Sequence, residues 1–153
     1  TNLTTEDSYK IIEYFDEITF SVDAVDDDLN EELGRGKGYF SHVKEVIETL
    51  KNKYPKCVLS VNTVVMKPNI NIIDDIYNEI KKFDLKKWKL IQFCYFRGIA
   101  SVNREYFEIT DQEYERIIKK YKSLESKFEI DGHNSKQVEE EHVVVTSSGN
   151  IVE

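Results

Sequence analysis

Apolar residues along this chain change their spacing from segment to segment, and the changes predict alternating strands and helices. Ile18 to Asp23 alternates as a strand, with Ile18, Phe20 and Val22 on one face and Thr19, Ser21 and Asp23 on the other. Val58 to Met66 is strongly β-branched, with Leu59, Val61 and Thr63 opposing Ser60, Asn62 and Val64. Trp88 to Phe96 is a third strand, where Trp88, Leu90 and Cys94 oppose Lys87 and Lys89, and Gln92 breaks the pattern. Between the strands the period becomes helical. Val43, Val46, Ile47 and Leu50 fall at i, i+3, i+4 and i+7 of a helix from Phe40 to Lys53, which Pro55 stops. Asn71 starts a helix through Ile72, Ile73, Ile76 and Ile80, ending near Phe83. Thr110 and Glu113 form a capping box for a helix to about Lys127. At the start, Thr4 and Thr5 cap a helix whose face is Tyr9, Ile11, Ile12, Tyr14 and Phe15. The acidic stretch Asp26 to Glu32 runs into a Gly34-Arg35-Gly36-Lys37-Gly38 loop; 131–141 reads as a polar loop, and Val143 to Thr146 with Ile151 to Glu153 as a hairpin.

This order predicts an α/β fold with parallel strands and right-handed crossovers. Each strand has an apolar face for helices and a second face carrying polar groups. A doubly wound sheet buries both faces, and a tight eight-stranded barrel fills its lumen with Val, Ile and Leu. Polar groups on one face fit a wide or incomplete barrel with a ligand inside, or a sheet face open to solvent; the pattern leaves both readings standing. A chain that begins on a helix, and on Thr1, is expected to be a piece of a longer protein with a strand lost upstream. The piece reads as a single domain over 1–153, with 128–153 as a peripheral C-terminal segment.

Composition narrows the function classes. The 153 residues hold 40% apolar and 12% aromatic side chains, enough for a core and too many for a disordered polymer. No run of ~18 apolar residues offers a membrane span. With 21 Lys and Arg against 29 Asp and Glu, the net charge of −8 argues against general nucleic-acid binding. Cys57 and Cys94 cannot build a disulfide framework or a Cys-rich metal site, and free thiols suit a reducing, cytoplasmic setting. The glycine loop lacks Walker spacing, and Asp26, Asp27 and Asp28 lack EF-hand spacing and read as an acidic helix start. His42, His133 and His142 lack zinc spacing. Ser21 and Asp23 have no strained nucleophile elbow around them and make no triad. Lys87 and Lys89 on one strand face, with Lys67 and Arg97 at strand ends, form a basic set that reads either as an anion site or as solvated lysines.

Several segments resemble radical S-adenosylmethionine (SAM) enzymes in order and spacing. "ITFSVDAVDDDLNEELGRGKG" resembles their fourth-strand region, where a Ser/Asp-bearing strand leads to an Arg-Gly turn; "VNTVVMKPNI" resembles the fifth strand and "KKWKLIQF" the sixth. With "FEITDQEYE", the set is most similar to the viperin-like branch and covers roughly residues 1–125. The resemblance implies the C-terminal part of a partial (β/α)6 TIM-type barrel. It implies a [4Fe-4S] cluster on a CxxxCxxC loop, an electron donor for that cluster, and SAM cleaved to a deoxyadenosyl radical. It places Asn2 beside SAM, Ser21 and Arg35 on its ribose and carboxylate, Asn62 on its ribose or adenosine part, and Lys87 and Lys89 on a nucleotide triphosphate. The chain departs from the pattern twice. CxxxCxxC is absent, so the cluster ligands must lie elsewhere in a parent protein, and Ser60 stands where the branch carries a triphosphate-binding lysine. The expected partners are therefore SAM and an anionic small molecule, with a dimer through the strand edge that truncation would expose. The contrasting expectation is a non-catalytic α/β binding module complete as it stands.

Overall fold

A computed structural model describes residues 11–94, 103–141, 144–145 and 151–152. Asn2, the Thr4–Thr5 cap, Arg97 and His142 lie outside the described residues. Of the expected first helix, the part that lies among the described residues forms a 3-10 turn, Ile11–Tyr14. Strands β1 (Glu17–Ser21), β2 (Val58–Val65), β3 (Lys87–Gln92) and β4 (Glu129–His133) form one sheet in the order β1-β2-β3-β4. Every neighbouring pair in it is parallel. β5 (Val144–Val145) and β6 (Ile151–Val152) pair antiparallel, as the hairpin reading expects. The α/β class with a parallel sheet agrees with the sequence.

The connecting helices form for local reasons. α1 (Asp27–Glu32) is capped by Asp26, whose Oδ1 accepts from Leu29 N at 2.9 Å, so the acidic stretch is a helix start. α2 (Tyr39–Lys53) buries Phe40, Val43, Val46, Ile47 and Leu50, and ends with Lys51 and Lys53 against its C-terminal dipole. α3 (Ile73–Ile80) opens with Asp74 and Asp75 and buries Ile73, Ile76 and Ile80. Its cap is Ile72 rather than Asn71, because Asn69 and Ile72 already close a turn ahead of it. α4 (Arg104–Phe107) is a single turn held by Arg104 on Glu108. α5 (Asp111–Lys122) carries the expected Thr110–Glu113 capping box.

Of these, α2, α3 and α5 pack on one sheet face. The core joins Phe20, Val22, Leu59, Val61, Val65, Trp88 and Leu90 from the strands to the apolar stripes of α2, α3 and α5. A sheet wound in sequential order with one crossover hand places its helices on one side. Trp88 is fully buried, stacked on Tyr77 at 5.7 Å and set edge-on to Tyr121 at 5.1 Å, and its Nε1 donates to Thr63 Oγ1 at 2.9 Å. Thr63 therefore sits on the apolar face with its hydroxyl satisfied.

Residues 131–141, expected as a polar loop, instead complete β4 and form α6 (Ser135–Glu141). β4 has Gly132 in its middle and weak alternation, so periodicity missed it. Gly132 is there because α5 lies directly on it: a Cβ would stand 2.4 Å from Ile118 Cδ1 and 2.9 Å from Tyr114 Oη. A signal for α6 was present in Asn134 and Gln137, a reciprocal cap in which Gln137 N donates to Asn134 Oδ1 at 2.9 Å and Asn134 N to Gln137 Oε1 at 3.0 Å. Among the described residues, no helix is long and apolar enough to cross a membrane.

Two stability outcomes follow from this packing. Gly132→Ala forces Ile118 or Tyr114 aside and should cost about 1–3 kcal/mol in urea unfolding; an unchanged midpoint would contradict the close approach of α5. Asp74 accepts from Lys120 Nζ at 2.6 Å and from Tyr121 Oη at 2.6 Å, which holds its carboxyl below the usual range. A depressed folded pKa stabilises above the unfolded value of about 3.9 and is lost as pH falls through the folded value. Asp74→Asn should therefore be less stable than the native chain at pH 7, and the gap should narrow as pH falls below the unfolded value and through the depressed folded one.

Candidate functional site

The carboxyl ends of β1 and β2 part from each other, and side chains take over the ladder. Val22 N donates to Asn62 O at 2.8 Å, the last main-chain bond between them. Beyond it, Val22 O accepts from Thr63 Oγ1 at 2.6 Å, and Val64 N donates to Asp23 Oδ1 at 2.9 Å. Asn69, fully buried, fills the gap. Its Nδ2 donates to Asp23 O at 2.9 Å and to Val64 O at 2.8 Å, and its Oδ1 accepts from Met66 N at 2.9 Å. Val22 O, Asp23 O, Val64 N, Val64 O and Met66 N thus each have a side-chain partner, as burial demands.

Into this opening comes the glycine loop. Asn30 is buried on α1, and its carbonyl accepts from Arg35 N at 2.8 Å and Gly36 N at 3.2 Å. Gly34, Gly36 and Gly38 take φ of 77°, 87° and 75°, left-handed values that a side chain would strain. The turn they make delivers Arg35 to Asp23, with Nη2 to Oδ2 at 2.5 Å and Nε to Oδ2 at 3.2 Å. Burial works against the guanidinium's charge, but the Asp23 carboxylate outweighs it and holds the Arg35 pKa above its ordinary value. The Tyr39 ring lies 5.4 Å beneath the guanidinium, and Tyr39 Oη donates to Ser21 O at 2.7 Å.

Beside this pair is a cavity of about 460 Å³ at the strand ends, within the size range of small-ligand sites. Asp23 and Arg35 are its charged lining, and Met66, Ile91, Phe93, Phe107 and Val138 give it an apolar wall. Gln92, the residue that broke the alternation of β3, is buried on the helix side. Its Nε2 donates to Asp111 Oδ1 at 2.9 Å, and its Oε1 accepts from Ser135 N at 3.0 Å. This ties the starts of α5 and α6 to the end of β3, and α6 in turn sets Val138 in the cavity wall.

Ser21, Asn62 and Lys89 share one face, as strand parity expects. Ser21 pairs with Asn62, Asn62 with Lys89, and Lys89 with Asp131, which makes them one row across the sheet. Among the described residues, Lys89 makes no ion pair. Lys87 lies in the row below, beside Ser60 and Glu129, and its Nζ is 3.4 Å from Glu129 Oε1. Parity placed Lys87 on the right face but not at the right height: it begins β3, and the strand climbs about 17 Å from it to Gln92. Ser60 Oγ donates to Glu17 Oε1 at 2.6 Å, and Lys86 Nζ reaches Glu17 Oε2 at 3.0 Å, so this end of the sheet is closed by its own ion pairs. Of the expected site residues, Arg35 alone lines the cavity; Ser21, Asn62, Lys87 and Lys89 face the open side of the sheet, and Asn2 is outside the described residues. Sequence reasoning missed Asp23, Asn69 and Gln92 as site builders. For Gln92 the signal existed, a lone polar residue on an otherwise apolar face.

The residues present do not fit an iron–sulfur cluster. Cys57 precedes β2 and Cys94 follows β3, at opposite ends of the sheet. Among the described residues, no group of three or more His, Cys, Asp or Glu side chains could hold a metal ion. Burial, with Asp16 and Glu17 nearby, pushes the Cys57 thiol pKa up, away from the thiolate that metals need.

Fold and site together define a parallel α/β chain with a polar-faced sheet and an arginine-bearing cavity at its strand ends. No family model matches the chain. It is 30% identical over 141 residues to an S-adenosylmethionine-dependent nucleotide dehydratase of Lacinutrix mariniflava, covering 89% of this chain and 28% of that protein. It is 28% identical over 119 residues to an S-adenosylmethionine-dependent nucleotide dehydratase of Oncorhynchus mykiss, covering 73% of this chain and 33% of that protein. These relatives support the viperin-like radical SAM relationship that the motifs suggest. The chain spans about a third or less of the length of the curated relatives it matches.

The parted strands yield a direct test. Asn69→Asp keeps an acceptor for Met66 N but loses the donors to Asp23 O and Val64 O. Two orphaned carbonyls beside a buried charge should cost at least about 2 kcal/mol in urea unfolding. A change below about 0.5 kcal/mol would show that Asn69 does not hold the strands.

Proposed function

We propose that this chain is the part of a viperin-like radical SAM enzyme that binds SAM and orients an anionic, nucleotide-type substrate. In this reading the sheet continues from the outer edge of β1 into a partial (β/α)6 barrel, in keeping with its sequential parallel order and one-sided helices. A preceding strand would occupy that edge, so the reading does not call for a dimer through it. The radical chemistry of the class is supplied by a cluster whose ligands belong elsewhere in the parent protein. The residues of this chain bind, orient and exclude water.

The observation that carries the reading is Arg35, presented by a glycine-flanked turn on a cavity of about 460 Å³ at the strand ends. The bonds to Asp23 engage two of the five guanidinium N–H groups. The remainder, free of partners among the described residues, suit the SAM carboxylate. Ser21 and Asn62, side by side in the polar row, are assigned to the ribose, as the family pattern has them. Lys89 is assigned to an anionic group of the substrate, with Lys87 a weaker contributor because Glu129 already partners it.

Titration calorimetry with SAM, and turnover of candidate nucleotides, on the full-length parent protein test this division of labour. Arg35→Lys should weaken SAM binding about tenfold, since an ammonium cannot replace a planar fork. Lys89→Ala should leave SAM affinity near the native value while substrate-dependent turnover falls by about tenfold, the scale of a partly buried charge contact. Equal loss of SAM affinity in both variants, or no loss in either, would sink the proposal.

A further inference from the structure

We infer that Asp23 is a positioning residue that sets the Arg35 guanidinium so that its outer edge reads a singly charged carboxylate, the amino-acid end of SAM. This inference rests on the proposed function and assigns a role within the same site. Asp23 stands just past the end of β1 with its side chain only 4% exposed. Its carboxylate cannot swing freely, because Oδ1 is fixed by the main-chain N–H of Val64 on the neighbouring strand. That leaves Oδ2 to take both Nε and Nη2 of Arg35. A buried carboxylate without a cation is costly, and the strand end therefore draws the arginine inward from a loop that has no regular structure of its own.

The geometry of the pair decides what remains. A guanidinium presents one fork from Nε and Nη2 and a second from the two Nη groups. Asp23 occupies the first. The second, one N–H from each Nη, has no partner among the described residues, and it is the edge that matches a carboxylate bidentately. Tyr39 beneath the plane, itself anchored on Ser21 O, limits rotation about the remaining axis. The arginine's rotamer freedom is thereby restricted before a ligand arrives. Charge counting selects the ligand class. Asp23 and Arg35 sum to zero, so the cavity as lined is neutral. Such a site gains little from a polyphosphate and suits a monoanion whose apolar body lies along Met66, Phe93 and Phe107. A phosphate-bearing substrate is thereby directed away from Arg35, toward the lysine-bearing side of the sheet.

Calorimetry on the full-length parent protein, with SAM and with decarboxylated SAM as the probe lacking the carboxylate, separates positioning from mere support of the fold. The native protein should favour SAM by tenfold or more. Arg35→Ala should erase that preference. Asp23→Asn, which can keep the bond from Val64 N, should reduce it to about threefold or less while leaving the affinity for decarboxylated SAM within about twofold. The double variant should be no worse than Arg35→Ala alone. If Asp23→Asn weakens both ligands equally, or only lowers the melting temperature, Asp23 is structural and the inference is overturned. Should Asp23→Asn fail to fold, Arg35→Lys retains an ion pair with Asp23 but has no second fork; full preference for SAM in that variant would overturn the inference equally. If instead Arg35→Ala keeps the preference for SAM, the assignment of Arg35 to the carboxylate fails, and the proposed function with it.

Discussion

The cavity exists because β1 and β2 part company after Asn62, and they can part only because Asn69, Asp23 and Thr63 satisfy the backbone groups that the ladder abandons. A parallel ladder left open without such substitutes would bury orphaned carbonyls and N–H groups. Asn69 contributes most, since one amide serves two carbonyls and an N–H at once. The Asp23–Arg35 pair, the glycine turn that delivers it and the cavity beside it all stand on that local exchange of side chain for main chain.

On the other face of the sheet the same chemistry is used to hold the core in register. Thr63 donates to Val22 O and accepts from Trp88 Nε1, so a single hydroxyl links the parted strands to the largest side chain in the core. Trp88 then packs against Tyr77 and Tyr121, and Tyr121 closes on Asp74 of α3. Burial and the Asp74 carboxylate push the Tyr121 hydroxyl well above its ordinary pKa, which keeps it a neutral donor. The ligand side and the core side of β2 are thus joined through two adjacent residues, Thr63 and Val64.

Much of this was legible in the sequence. Period-two alternation located β1, β2 and β3 within a few residues and separated Ser21, Asn62 and Lys89 from the helix-facing set. An apolar stripe gave α2 and a capping box gave α5. What stayed hidden was of two kinds. β4 carries a glycine where a helix presses on it, so its composition follows its neighbour and not its own strand propensity. Asp23 and Arg35 are twelve positions apart, and Asp23 and Val64 forty-one, so their meeting depends on strand register and on where a ladder stops. Alternation reports which face a residue takes, not its height along the sheet. Lys87 and Lys89 looked equivalent for that reason, and only one of them is free of a protein partner among the described residues.

Gln92 couples parts of the chain that are distant in sequence. One amide holds Asp111 at the start of α5 and Ser135 at the start of α6, while its backbone belongs to the sheet. Neither helix start can lift away without stranding half of a buried side chain, so the cost of opening one is shared by the other. Amide protons at the two helix starts would then exchange with solvent as a single cooperative unit. Through Val138, the shape of the cavity wall belongs to that unit as well.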